Sequence, residues 1–193
     1  MNNFFKLRTV HPVPAIAVLA KKIYETPERE QTQSTIISPL ESPSSRTAVL
    51  PLLEYVMHFD GCSKGNPGEA GAGAVIYRFG KEIWASSEYV GRKETNNFAE
   101  YKGLILGLKG ALELNIENLF VCGDSMLVIN QMNGKYKVNS PNLAQVYGES
   151  KKLASKFNSV SFNHVYRHKN KRADELSNKA LDDREDETDS GSY

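Results

Sequence analysis

Four carboxylates, Asp60, Glu100, Asp124 and Asp174, are the residues of this 193-residue chain best suited to chemistry. Each stands at the joint of a different candidate element. Asp60 directly follows the apolar run Tyr55-Val56-Met57-His58-Phe59, and Asp124 directly follows Leu119-Phe120-Val121-Cys122-Gly123. Glu100 lies in the first turns of a helix-patterned segment, where Leu104 and Leu108 at i+4 and i+8 mark its face as the buried one. Asp174 opens the last helical segment. Carboxylates brought close together repel, and burial makes this worse. A dication would hold them. A set made only of carboxylates, with no His or Cys group, favours a hard ion, Mg²⁺ or Mn²⁺. Two such ions about 4 Å apart would clamp the attacking and the leaving oxygen of a phosphodiester. Singly, each acid has a plain structural reading as a turn Asp or a helix-dipole Glu; together, with Glu100 facing inward, the four point to a metal site.

The elements that must position these acids follow from the hydrophobic pattern. "EYVMHFD" reads as a strand ending on Asp60, followed by a glycine-rich turn. "GAGAVIYRFG" and "KEIWASSEYVG" read as a second and third strand of an antiparallel meander joined through Gly80. Phe98, Tyr101, Leu104, Ile105, Leu108, Ala111 and Leu112 repeat with the helical period, and Thr95, Asn96 and Asn97 are N-cap candidates. "NLFVCGD" is a fourth strand, "SMLVINQMNG" a short helix, and Pro141 opens a helix to about Phe157. "SVSFNHVYR" is a fifth strand and "KRADELSNKALD" a last helix. Strands 1, 4 and 5 are joined through helices and should lie parallel. The expected architecture is α/β, a mixed five-stranded sheet covered by helices. Strands 1 and 4 would then end at one edge, where open α/β sheets place their sites.

The remaining chain is divided by composition. Residues 1–24 carry Lys6, Arg8, Lys21 and Lys22 and no acid, and residues 25–50 are rich in Ser, Thr, Pro, Glu and Gln. Residues 1–52 read as a linker or targeting segment, 53–182 as the folded domain and 183–193 as an acidic disordered tail. The net charge of +1 hides a body, residues 54–181, with 17 basic against 13 acidic residues, which suits a polyanionic partner. The only two cysteines, Cys62 and Cys122, form neither a disulfide framework nor a zinc pattern and read as reduced thiols of an intracellular protein. No apolar run has the length of a membrane span, and Pro14 within the short "VPAIAVLA" argues against a secretory signal. Cytoplasm or nucleus is expected. A mitochondrial presequence is the alternative, though Pro12 and Pro14 interrupt the amphipathic helix it needs.

"DGCSKGNPGEAGAGAVI", "TNNFAEYKGLILGL", "GDSMLVINQMNG" and "HVYRHKNKRADELSNKAL", in this order, resemble the four blocks of type 1 ribonuclease H, in the plant and archaeal style that lacks the basic handle. The resemblance spans about residues 54–181. It implies a sheet of order 3-2-1-4-5, with strand 2 antiparallel and helices on both faces. It also implies an endonuclease, expected to act as a monomer, that hydrolyses the RNA strand of RNA/DNA hybrids with two Mg²⁺ ions, replaceable by Mn²⁺, and leaves 5′-phosphomonoesters. By motif, Asp60, Glu100, Asp124 and Asp174 resemble the four acidic ligands, and His168 the histidine that assists product departure. Gly61, Cys62, Ser63 and Asn66 resemble the loop that grips the RNA strand near its 2′-hydroxyls. Thr95, Asn96 and Asn97 sit where relatives hold phosphates and base edges, and Asn170 fits the "R-x-x-N-x-x-A-D" spacing and is expected to orient the loop before Asp174 as well as to stand among the substrate-binding residues.

Two departures stand out. Met126 occupies a position where several relatives have a substrate-touching Gln. The handle is absent, leaving Lys135, Tyr136 and Lys137, with Lys151, Lys152 and Lys156, as the basic surface. Competing readings are a 3′ exonuclease on the same fold, a non-catalytic nucleic-acid-binding module and a retroelement-derived domain. The first wants a second acid two residues after Asp60, where Cys62 stands; the second would be favoured by loss of an acid, and all four are present.

Overall fold

In the computed structural model, residues 54–189 are described; the expected linker or targeting segment and the last four residues lie outside them. Five strands form one sheet: β1 (Tyr55–Gly65), β2 (Gly68–Arg78), β3 (Lys81–Glu94), β4 (Asn118–Gly123) and β5 (Ser159–His164). Their order is β3-β2-β1-β4-β5. β2 runs antiparallel to β1 and β3, and β4 parallel to β1 and β5, as the pattern of hairpins and helical crossovers requires. Four helices complete the fold: α1 (Asn96–Glu113), α2 (Met126–Met132), α3 (Pro141–Ala154) and α4 (Lys171–Asp189).

Period-two alternation sorts the strand residues between two cores. Met57, Phe59, Ala74, Ile76 and Val121 pack with Tyr101, Leu104, Ile105 and Leu108 of α1 and with α2 and α3. On the opposite face, Val75 packs with Ala173 and Leu176 of α4, while Val56, Phe120, Cys122 and Val165 form a smaller cluster. His58 and Asp60 fall on this second face because they alternate with Met57 and Phe59.

Two boundaries differ from the sequence expectation. Asp60 does not end β1, which continues to Gly65 and pairs residue by residue with β2 through a two-residue turn at Asn66 and Pro67. What ends near Asp60 is the parallel pairing: β1 meets β4 only from Val56 to His58. Asp60 therefore lies just past the point where its neighbour stops. The last helix also continues to Asp189, through part of the segment expected as a disordered acidic tail. Leu181 is buried, Lys179 pairs with Asp183, and the Arg184 guanidinium lies 4.7 Å from the Tyr89 ring centroid, so the helix has anchors beyond residue 182.

Both helices beside Asp60 lie at backbone contact with the sheet. A methyl group on Gly103 of α1 would overlap the Asp60 carbonyl oxygen, and one on Gly73 of β2 would meet the backbone of Ser177 and Ala173 in α4. Ala is the better helix former by about 1 kcal/mol, but overpacking against unyielding backbone costs about 1–3 kcal/mol. Gly103→Ala is therefore expected to lower the urea midpoint and to move Glu100 away from Asp60. A midpoint unchanged or raised would show that α1 stands off the strand.

Candidate active site

Asp60, Glu100 and Asp124 each offer a carboxylate oxygen, and these three oxygens lie within 4.8 Å of one another. Asp60 is 5% exposed and Glu100 6% exposed, while Asp124, just after β4, is half-buried. Each acid is held by a donor from a neighbouring element. The Ser177 hydroxyl of α4 lies 2.6 Å from Asp60 Oδ2, Asn170 Nδ2 donates to Asp124 Oδ1 at 2.7 Å, and the Gly61 N–H donates to the Glu100 carboxylate.

The electrostatics are those of a site short of positive charge. Burial first, then the charges of Asp124 and Asp174, pushes the Asp60 carboxyl up from 3.8 to about 7, against the opposing Ser177 hydrogen bond. Burial, then Asp60 and Asp124, pushes Glu100 well above the ordinary carboxylate range. Glu100 Oε2 is buried with no hydrogen-bond partner among the described residues. A partnerless buried carboxylate oxygen beside two further carboxylates fits a divalent cation, and an all-oxygen donor set fits a hard one.

Asp174 is not one of the three clustered acids. It lies in the first turn of α4, and its Oδ1 is 2.7 Å from Nη2 of Arg167, whose side chain is 79% exposed. A native cation thus occupies the fourth acid. His168, the histidine singled out in the sequence, does not reach the carboxylates through any described contact. It is exposed and stacks on Tyr166, with ring centroids 5.9 Å apart. The cause is local: residues 167–169 form a 3₁₀ turn, whose three residues per turn send neighbouring side chains in different directions, so Arg167 faces Asp174 and His168 does not.

The proposed substrate residues divide in the same way. Asn96 and Asn97 are exposed at the start of α1, and Thr95 caps that helix by accepting from the Phe98 N–H at 3.3 Å. Asn66 is exposed at the hairpin tip, where its Oδ1 accepts from the Asn96 N–H at 3.1 Å, tying the tip to α1. Ser63 turns its hydroxyl to the carbonyls of Gly65 and Glu94. Cys62 is half-buried beside Ser177, and burial raises its thiol pKa. Two of the expected substrate residues are buried. Gly61 is buried, packed against the α1 backbone at Ala99 and Glu100, with its N–H engaged by Glu100. Asn170 is 1% exposed, with its amide spent on protein groups. Both support the acids and neither is open to substrate. Sequence reasoning missed Ser177, although its i+3 spacing from Asp174 places both near one helix face.

A family model described as reverse transcriptase-like matches residues 58–180. Ribonuclease HI of Halobacterium salinarum is 39% identical over 126 residues, 65% of this chain and 63% of that protein. The chain belongs to the ribonuclease H family. Among solved ribonuclease H structures, the N-terminal ribonuclease H domain of a Mycobacterium tuberculosis protein is 40% identical, with TM-score 0.66 over 69% of this chain and 97% of the other. LC11-RNase H1, solved in complex with an RNA/DNA hybrid, is 36% identical, with TM-score 0.63 over 67% of this chain and 98% of the other. The chain spans 36% of the length of the curated mycobacterial relatives it matches at 41% identity. The ribonuclease H fold accounts for the 3-2-1-4-5 sheet order.

The raised carboxyl pKa values set a pH dependence. A carboxylate with a higher pKa folded than unfolded makes the native state bind more protons between its two pKa values, so stability falls as pH rises through that window. For Asp60 the window runs from 3.8 to about 7. Metal-free protein should therefore melt lower at pH 8 than at pH 5. Asp60→Asn, which can still accept from Ser177, should raise the metal-free melting temperature at pH 8 by about 3–5 °C for each kcal/mol of repulsion relieved. Mg²⁺ should stabilise the wild type more at pH 8 than at pH 5. Melting curves at the two pH values check all three, and an Asp60→Asn variant that melts below the wild type at pH 8 contradicts the repulsion.

Proposed function

We propose that this chain is an endoribonuclease that hydrolyses the RNA strand of RNA/DNA hybrids with the help of two divalent cations, Mg²⁺ or Mn²⁺, leaving 5′-phosphate ends. The observation that carries the reading is the cluster of Asp60, Glu100 and Asp124 around the partnerless Glu100 Oε2. The hybrid bound to the structurally similar LC11-RNase H1 supports the substrate class.

Asp60, Glu100 and Asp124 would hold the cations, with Asp174 available as a fourth ligand once released from Arg167. When bound, such ions neutralise the acids, lower the pKa of attacking water and stabilise the leaving oxygen. The protein's own groups do the rest. Ser177 and Asn170 keep Asp60 and Asp124 aimed at the cluster. The exposed side-chain amides of Asn96 and Asn97 at the start of α1 offer donors to a phosphate. The hairpin tip around Cys62, Ser63 and Asn66 would read the 2′-hydroxyls that distinguish RNA. Lys135, Tyr136 and Lys137 are exposed on the α2–α3 connection, and Lys151, Lys152 and Lys156 are exposed at the end of α3 and just beyond it. With only this basic surface, affinity should fall steeply with salt. Action as a monomer in an intracellular compartment is part of the proposal. Among the described residues no helix is long and apolar enough to cross a membrane.

Incubation with labelled RNA/DNA hybrid, duplex RNA and duplex DNA, each with Mg²⁺, Mn²⁺ or EDTA, tests the reading. Cleavage is expected only of the RNA strand of the hybrid and only with metal. Asp124→Asn should abolish it while leaving the protein folded; full activity of this variant in Mg²⁺ would refute the site. His168→Ala should lose much less, under about tenfold in kcat, because His168 stacks on Tyr166 and makes no described contact with the carboxylates that would hold the cations. Inactivation by His168→Ala as complete as that by Asp124→Asn would show that His168 moves into the cluster.

A further inference from the structure

Asn170 sits at the centre of a buried relay. Its Nδ2 lies 2.9 Å from the Phe59 carbonyl oxygen and 2.7 Å from Asp124 Oδ1. Both partners are acceptors, so the amide must present its two N–H donors to them and its Oδ1 the other way. That oxygen is 3.1 Å from His58 Nδ1. The chemistry of the outer partners therefore decides the inner one: His58 carries its proton on Nδ1 and donates to Asn170. His58 is buried on β1, two residues before Asp60 and on the same face of the strand.

The far side of the ring meets Tyr77 edge-on, with centroids 5.9 Å apart. It also lines a cavity of about 350 Å³ together with Val56, Phe79 and Lys169. An apolar ring would serve for packing on Tyr77, but only a donor at the Nδ1 position completes Asn170. Without it, Asn170 Oδ1 becomes a buried acceptor that draws the side chain toward rotation or an invading water, and Asp124 loses its fixed donor.

Resting on the reading of Asp124 as a metal ligand, we propose that His58 is a positioning residue: its Nδ1–H, relayed through Asn170, holds the Asp124 carboxylate aimed at Asp60 and Glu100. Partners of this kind behind a ligand typically change metal affinity or activity by about 10–100-fold.

Two substitutions in the full chain separate the donor from the ring. His58→Asn keeps an N–H near the Nδ1 position and loses the ring; His58→Phe keeps the ring and loses the donor. Mn²⁺ affinity by calorimetry is the main readout, with metal-free melting and hybrid-cleavage kcat and KM beside it. His58→Phe should bind Mn²⁺ about tenfold more weakly, with a lower kcat and a KM for hybrid within twofold of the wild type. His58→Asn should stay within about threefold of the wild type in affinity. If His58→Phe does not fold, His58→Gln, whose amide sits one bond too far out to reach Asn170, carries the same expectation. Wild-type Mn²⁺ affinity in the donorless variant, or equal weakening in the Asn variant, overturns the relay. A wild-type protein that binds no Mn²⁺ would instead remove the metal-site reading beneath it.

Discussion

Three carboxylates brought within 4.8 Å of one another in a largely buried site repel, and the rest of the structure is arranged to hold them there. The restraint comes from the backbone. Gly103 lets α1 rest on the Asp60 carbonyl, and Gly73 lets α4 rest on β2, so Glu100 and Ser177 arrive at Asp60 from opposite faces of the sheet. Side-chain packing alone would leave room for the helices to retreat and relieve the repulsion. Backbone contact, locked by the large core under α1, removes that freedom. The metal-free fold carries the electrostatic cost, and a bound cation would return it as affinity.

Among the described residues each clustered acid has a well-placed donor, and the pattern leaves lone pairs to spare. Gly61 N–H, Ser177 Oγ and Asn170 Nδ2 fix the direction of Glu100, Asp60 and Asp124 without saturating them. The acids also differ in exposure. Asp60 and Glu100 form a buried floor, whereas Asp124 is half-buried and Asp174 is held at the rim by Arg167. A floor that is preorganised and a rim that can exchange partners would suit the proposed function, in which the site keeps its cations yet admits and releases a polyanion.

The sequence by itself determined the element order and the type of each element. Strand alternation, the helical repeat from Phe98 to Leu112 and the Thr95 cap are local properties, read from residues a few positions apart, and the structure reproduces them. It also exposed the acids, because a charge next to an apolar run is visible without any fold. Tertiary structure decided what those charges touch. That Asp60 lies within a long strand and beyond the end of its parallel partner depends on β4 stopping at Gly123, more than sixty positions away in the chain. The choice of Arg167 over His168 as the neighbour of Asp174 rests on a three-residue 3₁₀ turn with no strong pattern. The continuation of α4 past residue 182 rests on Arg184 finding Tyr89 on another element, which acidic composition could not foretell. Gly61, Ser177 and Asn170 became supports of the acids only through contacts between elements distant in the chain. Periodicity shows which face of an element is buried, but only the packed structure shows which groups meet there.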